Sequence, residues 1–287
     1  MRTFILGVGA QKSGTTWLFK QLIKSPRYAG GFCKEYHLFD ALHVGGRKEW
    51  VDGARNRVSN YPSKEGEDFV ERHVGLMMNF YEDPTAYYDY FDSIIKADND
   101  FSLDITPSYS ALDAEVLREI RRQFLSRDIV VKVVFLMREP VTRLESAIKM
   151  NLRRKKALKS AGNQEVAAKM KSLIGSEFNI SRSDYATTCG NIDNAFPESE
   201  IFYGFHETLF SQSEVERLGE FLNLPADLFD ISQVVNRTVK RFNYPAADVA
   251  ALKKCVQDRY DYVSGRFGFD LSIWDNALQE LVDHDAP

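Results

Sequence analysis

Cysteine is scarce in this chain: three in 287 residues, Cys33, Cys189 and Cys255, with no C-x-x-C spacing. An odd, scattered count argues against a disulfide scaffold or a thiolate zinc site. It favours buried free thiols and leaves one Cys189–Cys255 bridge open. Histidine is also sparse. His37, His43, His73, His206 and His284 form no H-E-x-x-H pattern, so no metal is expected. Long apolar runs are missing, and nothing reaches the ~18 residues of a membrane helix. The opening MRTFILGVGAQKSGTT runs from a short apolar stretch into glycine and charge without an A-x-A site. It reads as a first strand, so a cytoplasmic protein with no membrane insertion is expected. Excess charge of one sign is absent too. With 37 Lys plus Arg against 41 Asp plus Glu, the net charge of -4 offers no basic field to a nucleic acid. A small anionic ligand stays compatible, because local charge governs its binding.

What the chain does have is apolar and aromatic bulk. Hydrophobic residues make up 44% and aromatics 13%, with 20 Phe and 13 Tyr, enough for a sizeable core. The Phe and Tyr clusters at 78–91 read as core rather than as a stacking stripe. Residues 3–8, TFILGV, read as a strand. WLFKQLIKS then sets Trp17, Leu18, Leu22 and Ile23 on one helical face, ending near Ser25-Pro26. DIVVKVVFLM at 128–137 has the near-continuous, β-branched character of a buried parallel strand. Shorter strands are expected at 102–105 and 200–204. Helices are expected at 68–80, 86–97, 111–126 and 141–160, within 181–196, over 211–224 with Ser211 or Ser213 as cap, and from Pro245 to about Ser264. The basic run Arg153-Arg154-Lys155-Lys156 reads as a solvated face, with a substrate-facing lid as the alternative.

The most informative stretch is Gly9-Ala10-Gln11-Lys12-Ser13-Gly14-Thr15-Thr16, set between the first strand and a helix. Backbone N–H groups in this context cradle phosphate. The stretch nearly matches G-x-x-x-x-G-K-[ST], but Thr15 follows Gly14 and the lysine comes earlier, at Lys12. The alternation of strands and long helices then predicts one P-loop-containing three-layer α/β/α domain over 1–287, with a central, mainly parallel sheet. Segment 27–68 reads as a ligand-facing loop with minor helix.

GAQKSGTTWL at 9–18 resembles the 5′-phosphosulfate loop of the sulfotransferases, which transfer a sulfuryl group from 3′-phosphoadenosine 5′-phosphosulfate (PAPS) and release 3′-phosphoadenosine 5′-phosphate (PAP). A second motif of that family is a strand, Arg-x-Pro and a serine in the next helix. VVFLMREPVTRLESA supplies it with Arg138, Pro140 and Ser146. The resemblance implies that Lys12, Ser13, Gly14, Thr15, Thr16 and Trp17 meet the cofactor, although Trp17 also suits the core. It implies that Arg138 and Ser146 hold the 3′-phosphate. Lys34-Glu35-Tyr36-His37-Leu38-Phe39-Asp40 resembles Lys-Glu-Pro-His-Phe-Phe-Asp of the heparan-sulfate-type branch. LDITPSYS resembles that branch's Glu-Lys-Thr-Pro-x-Tyr-Phe, with Ile105 in place of its lysine. These matches imply Glu35 as catalytic base, His37 as its companion or alternative, and Lys34, Asp40, Thr106 and Tyr109 at the substrate. Asp40 as a local cap stays open. Lys240 and Arg241 follow in the order of the family's C-terminal cofactor loop, without its glycine.

The resemblance implies a sulfotransferase acting on a hydroxyl or amine of a carbohydrate or small-metabolite acceptor, with Lys12 countering charge on the leaving oxygen and no metal required. It also implies acceptor-site insertions at 27–68 and 150–185. The alternatives are a P-loop small-molecule kinase, for which Asp104 would be a metal ligand, and a noncatalytic nucleotide-binding protein. Thr15 in place of the Walker lysine counts against the kinase.

Overall fold

Phe4, Leu6 and Val8 alternate with Ile5 in β1 (Thr3–Gly9), and both sets are buried, so this strand is covered on its two faces. The computed structural model describes residues 1–61, 66–176, 182–233, 235 and 240–283. Among them, β1 lies between β2 (Phe101–Ile105) and β3 (Val130–Met137), and β4 (Ile201–Phe205) lies beyond β3. The order is β2-β1-β3-β4 and every pairing is parallel.

One apolar layer joins Phe4, Leu6, Val133 and Phe135 to helices that include α5 (Glu67–Glu82), α6 (Thr85–Ile94), α7 (Ala114–Leu125), α8 (Pro140–Arg154) and α10 (Tyr185–Ala195). The opposite layer joins Ile5, Leu103, Val134 and Leu136 to α1 (Thr15–Leu22) and α11 (Gln212–Leu222). This is the expected three-layer α/β/α arrangement. The chain leaves β1 toward β2 on one side and β3 on the other. The crevice beyond the carboxyl ends of β1 and β3 is therefore the topological switch point, where such sheets take ligands.

Local detail in part adds to the expected elements and in part corrects them. Among its described residues, segment 27–68 carries the short helices α2 (Leu38–His43), α3 (Arg47–Asp52) and α4 (Ala54–Ser59). Helix α8 stops at Arg154 because Lys156 turns left-handed at φ 57° and Ala157 N–H returns to the Leu152 carbonyl at 2.8 Å. Within 160–184, α9 spans Asn163–Leu173. The helix expected from Pro245 is two, α12 (Ala246–Lys254) and α13 (Gln257–Phe267), parted where Val256 turns inward. The tail adds α14 (Leu271–Gln279). Ser211, not Ser213, caps α11. All three cysteines are free; Cys33 and Cys189 are buried, whereas Cys255 is exposed. Among the described residues, no helix is long and apolar enough to cross a membrane.

Asp104, on β2, ties the sheet to the segment that carries Glu35. Its fully buried carboxylate accepts from Thr106 Oγ1 at 2.6 Å, Tyr109 Oη at 2.8 Å, Tyr87 Oη at 2.9 Å and Tyr36 N at 3.3 Å. Tyr109 Oη also accepts from Leu38 N at 3.2 Å, and Ile105 N donates to the Lys34 carbonyl at 2.9 Å. Burial raises the Asp104 pKa to about 6 against the pull of these donors. An amide here would set an NH2 against a ring of donors. Asp104→Asn should therefore lower the unfolding free energy by about 2 kcal/mol or more in urea denaturation at pH 7. An unchanged midpoint would contradict this role.

Candidate active site

The loop after β1 is fastened to the next strand before it reaches α1. Ala10 N donates to the Leu136 carbonyl at 2.6 Å, and the Arg138 guanidinium donates to the Lys12 carbonyl at 2.9 Å. Gly14 ends the loop at φ 100°, and a Cβ there would stand 2.7 Å from Leu209 Cδ2. The left-handed conformation favours glycine, and a side chain there would also press on Leu209. The loop opens on a cavity of about 780 Å³, lined by Lys12, Gly14, Thr15, Thr16 and Trp17.

The second wall follows β3. Arg138 is held by Tyr185, whose hydroxyl donates to the Arg138 carbonyl at 2.5 Å. Glu139 caps α8 by accepting from Val141 N at 2.9 Å and Thr142 N at 2.6 Å, and it takes Tyr260 Oη at 2.9 Å. Its complete burial raises its pKa to about 7. The fixed helix presents Glu145, Ser146, Lys149, Met150 and Arg154 to the cavity.

Among the described residues the lining carries six Lys or Arg (Lys12, Lys34, Arg138, Lys149, Arg154, Arg182) against two carboxylates, Glu35 and Glu145. The excess is local, since the whole chain is at -4. Burial lowers the Lys12 pKa to about 8, helped by repulsion from Arg138, Arg153, Lys34 and Arg154. Its ammonium lies 3.9 Å from the soft Met150 Sδ.

The third wall is a chain of charged groups. Lys34 Nζ lies 2.6 Å from Glu35 Oε1 and 3.5 Å from Thr15 Oγ1. Glu35 Oε2 lies 3.4 Å from His37 Nε2, and His37 Nδ1 lies 2.7 Å from Asp40 Oδ2. Ser108 Oγ donates to the same Asp40 oxygen at 2.5 Å. Burial opposes the charge on Glu35, but Lys34 and His37 prevail and hold its carboxyl well below the usual carboxylate range. Burial likewise opposes charge on His37, and Asp40 and Glu35 overcome it, raising the imidazole pKa. His37 thus lies between two carboxylates that favour its protonated form.

Neither a protein-family model nor a curated protein sequence matches the chain. Solved structures do. A sulfotransferase from Alicyclobacillus acidocaldarius superposes with a TM-score of 0.60 at 17% identity, over 96% of this chain and 99% of that one. The sulfotransferase domain of the Synechococcus PCC 7002 olefin synthase gives 0.51 at 17% identity, over 94% of this chain and 95% of that one. The fold is that of the sulfotransferases.

Of the residues singled out in the sequence, Lys12, Gly14, Thr15, Thr16, Trp17, Lys34, Glu35, His37, Arg138 and Ser146 line this one cavity. The rest sit elsewhere. Ser13 is within the loop, its Oγ buried without a partner. Asp40 stands behind His37 and does not cap α2. Thr106 and Tyr109, expected at the substrate, turn inward to Asp104 and brace the Glu35 segment. Asp104 is likewise spent in the core and does not line the cavity. Lys240 donates to the Lys159 and Ala161 carbonyls at 2.9 and 2.6 Å, and Arg241 is exposed off the cavity. Asn236–Val239 lie outside the described residues. Of the basic run, Arg154 reaches the cavity and the whole run is solvent-exposed.

Sequence reasoning missed Lys149, Arg182, His206 and Phe210 in the lining. His206 follows the carboxyl end of β4, a position that topology marks. Burial and the nearby Arg138 push its pKa down to about 3, so it is neutral. Lys149 lies three residues after Ser146 and shares its helix face. Arg182 and Phe210 gave no signal. In lysine-labelled protein, NMR should find the Lys12 side chain titrating near pH 8, and Lys12→Arg should remove that resonance. Every lysine titrating near its ordinary value would contradict the desolvated site.

Proposed function

We propose that the protein is a PAPS-dependent sulfotransferase acting on a hydroxyl or amine of a carbohydrate or small-metabolite acceptor, with PAP as the other product. One observation carries this reading: the Lys12 loop, the Arg138–Ser146 pair and the Glu35 carboxylate open on a single cavity. The sulfotransferase fold supports it.

The lining also fits the donor. PAPS is anionic at two separated ends, and the lining has cations six to two over acids, with Lys12 on the loop and Arg138 after β3. The unpartnered Ser13 hydroxyl adds a donor at the loop. Lys12, Ser13, Gly14, Thr15 and Thr16 would hold the phosphosulfate, and Arg138 and Ser146 the 3′-phosphate. Trp17, packed edge-on to Phe210 at 5.3 Å, offers an apolar wall for the purine. Bound PAPS would supply an activated sulfuryl group, whose S–O bond to phosphate breaks as the bond to the acceptor forms.

The chain's own residues divide the remaining work. Lys12 sets positive charge where negative charge collects on the leaving phosphate. Glu35, ionised and a third exposed, takes the acceptor's proton. His37, whose protonated form Asp40 and Glu35 favour, orients Glu35, and Asp40 and Ser108 fix its ring. The acceptor is met by the segments read as insertions, 27–68 through Lys34, Glu35 and His37, and 150–185 through Arg154 and Arg182. The likeness of 34–40 to the heparan-sulfate-type branch favours a sugar-like hydroxyl or amine. Ile105, which replaces that branch's lysine, is buried.

In a labelled-sulfate transfer assay over a hydroxyl and amine panel, Glu35→Gln should cut turnover at least ~100-fold. Its PAP affinity, by calorimetry, should change by less than about twofold. Rate and affinity falling together would overturn the base assignment. Lys12 loses its charge as pH rises through about 8, so kcat/KM for PAPS should fall above that pH. Lys12→Arg should move this alkaline limb upward, and an unmoved limb would exclude Lys12 as its source.

A further inference from the structure

Lys240 and Arg241 were the cations expected at the far end of the nucleotide, and neither reaches the cavity. Lys240 is spent on two backbone carbonyls and rests over the Phe242 ring at 5.2 Å. The opposite charge of a 3′-phosphate therefore has to come from elsewhere among the described residues. Helix α8 supplies a candidate. Lys149 lies one turn beyond Ser146, both line the cavity, and residues three apart on a helix are neighbours on one face.

The side chain is placed rather than trailing in solvent. Its ammonium lies 2.7 Å from Glu145 Oε1 and 5.5 Å from the centre of the Phe242 ring, and the side chain is 13% exposed. Tyr244 Oη lies 3.4 Å from the same Glu145 oxygen and closes the pair from behind. An ammonium has three donors, and the contact with Glu145 uses one. A compact point charge of this kind suits a phosphate, whereas Arg138 offers the planar fork.

We propose that Lys149 is a nucleotide-binding residue that, with Arg138 and Ser146, reads the 3′-phosphate and so separates PAP and PAPS from nucleotides lacking that group. The inference rests on the cofactor reading above. Glu145 acts as a positioning residue, holding the ammonium at the cavity wall.

The test is calorimetry on the full chain with two probes, PAP and 5′-AMP, which differ only in the 3′-phosphate. Wild type should bind PAP more tightly than AMP. Losing a charge-assisted contact should weaken PAP binding about tenfold or more in Lys149→Met and leave AMP within about twofold. Lys149→Arg, which keeps the charge, should stay within about threefold of wild type for PAP. Lys149→Met leaves Glu145 buried and unmatched. The double variant Glu145→Gln/Lys149→Gln removes both charges together and should show the same selective loss, with an unchanged melting profile as the check on folding. Variants that bind PAP like wild type, or lose PAP and AMP equally, would overturn the assignment of Lys149 alone. Wild type binding neither nucleotide, or both equally, would overturn the 3′-phosphate site itself and this inference with it.

Discussion

Two hydrogen bonds join the loop after β1 to the strand beside it: Ala10 N to the Leu136 carbonyl, and the Arg138 guanidinium to the Lys12 carbonyl. Residues more than 120 positions apart in the chain are thereby held as one edge of one cavity. Parallel pairing of β1 and β3 brings their carboxyl ends to the same side, and the opposed directions taken by the chain afterwards leave a crevice between them. Every functional reading depends on that crevice. Without the stitch, Lys12 would be a lysine in a turn and Arg138 a surface arginine ending a strand.

The crevice concentrates charge that the chain as a whole lacks. Desolvation and crowded cations make Lys12 easier to deprotonate, so the site is costly in the free protein and is relieved by an anion. Opposite it, the alternation Lys34, Glu35, His37, Asp40 keeps each basic group next to a carboxylate, and Asp104 with its tyrosines holds the backbone underneath. The acid that would take a proton and the cation that would stabilise a leaving group are thus supported by separate parts of the core.

Much of this was legible in the sequence because it is local. A strand, a glycine turn and a helix are adjacent along 3–22, and so are the strand, Arg138, Pro140 and Ser146. Side-chain direction was less legible. The TPSYS stretch lies beside the site, but Thr106 and Tyr109 face the buried Asp104, while Pro107 and Ser108 face the cavity. The end of α8 was missed because a lysine, not a glycine, takes the left-handed turn at Lys156. Arg182, His206 and Phe210 arrive at the site only through the order of strands and the packing of the layers, which no short motif encodes.

A crystal structure of the protein with PAP tests the shared crevice most directly. The account predicts one nucleotide spanning it, its 5′-phosphate on the amides of the Lys12 loop and its 3′-phosphate against Arg138 and Ser146. A nucleotide seated elsewhere, or Lys12 and Arg138 found on separate ligands, would contradict it.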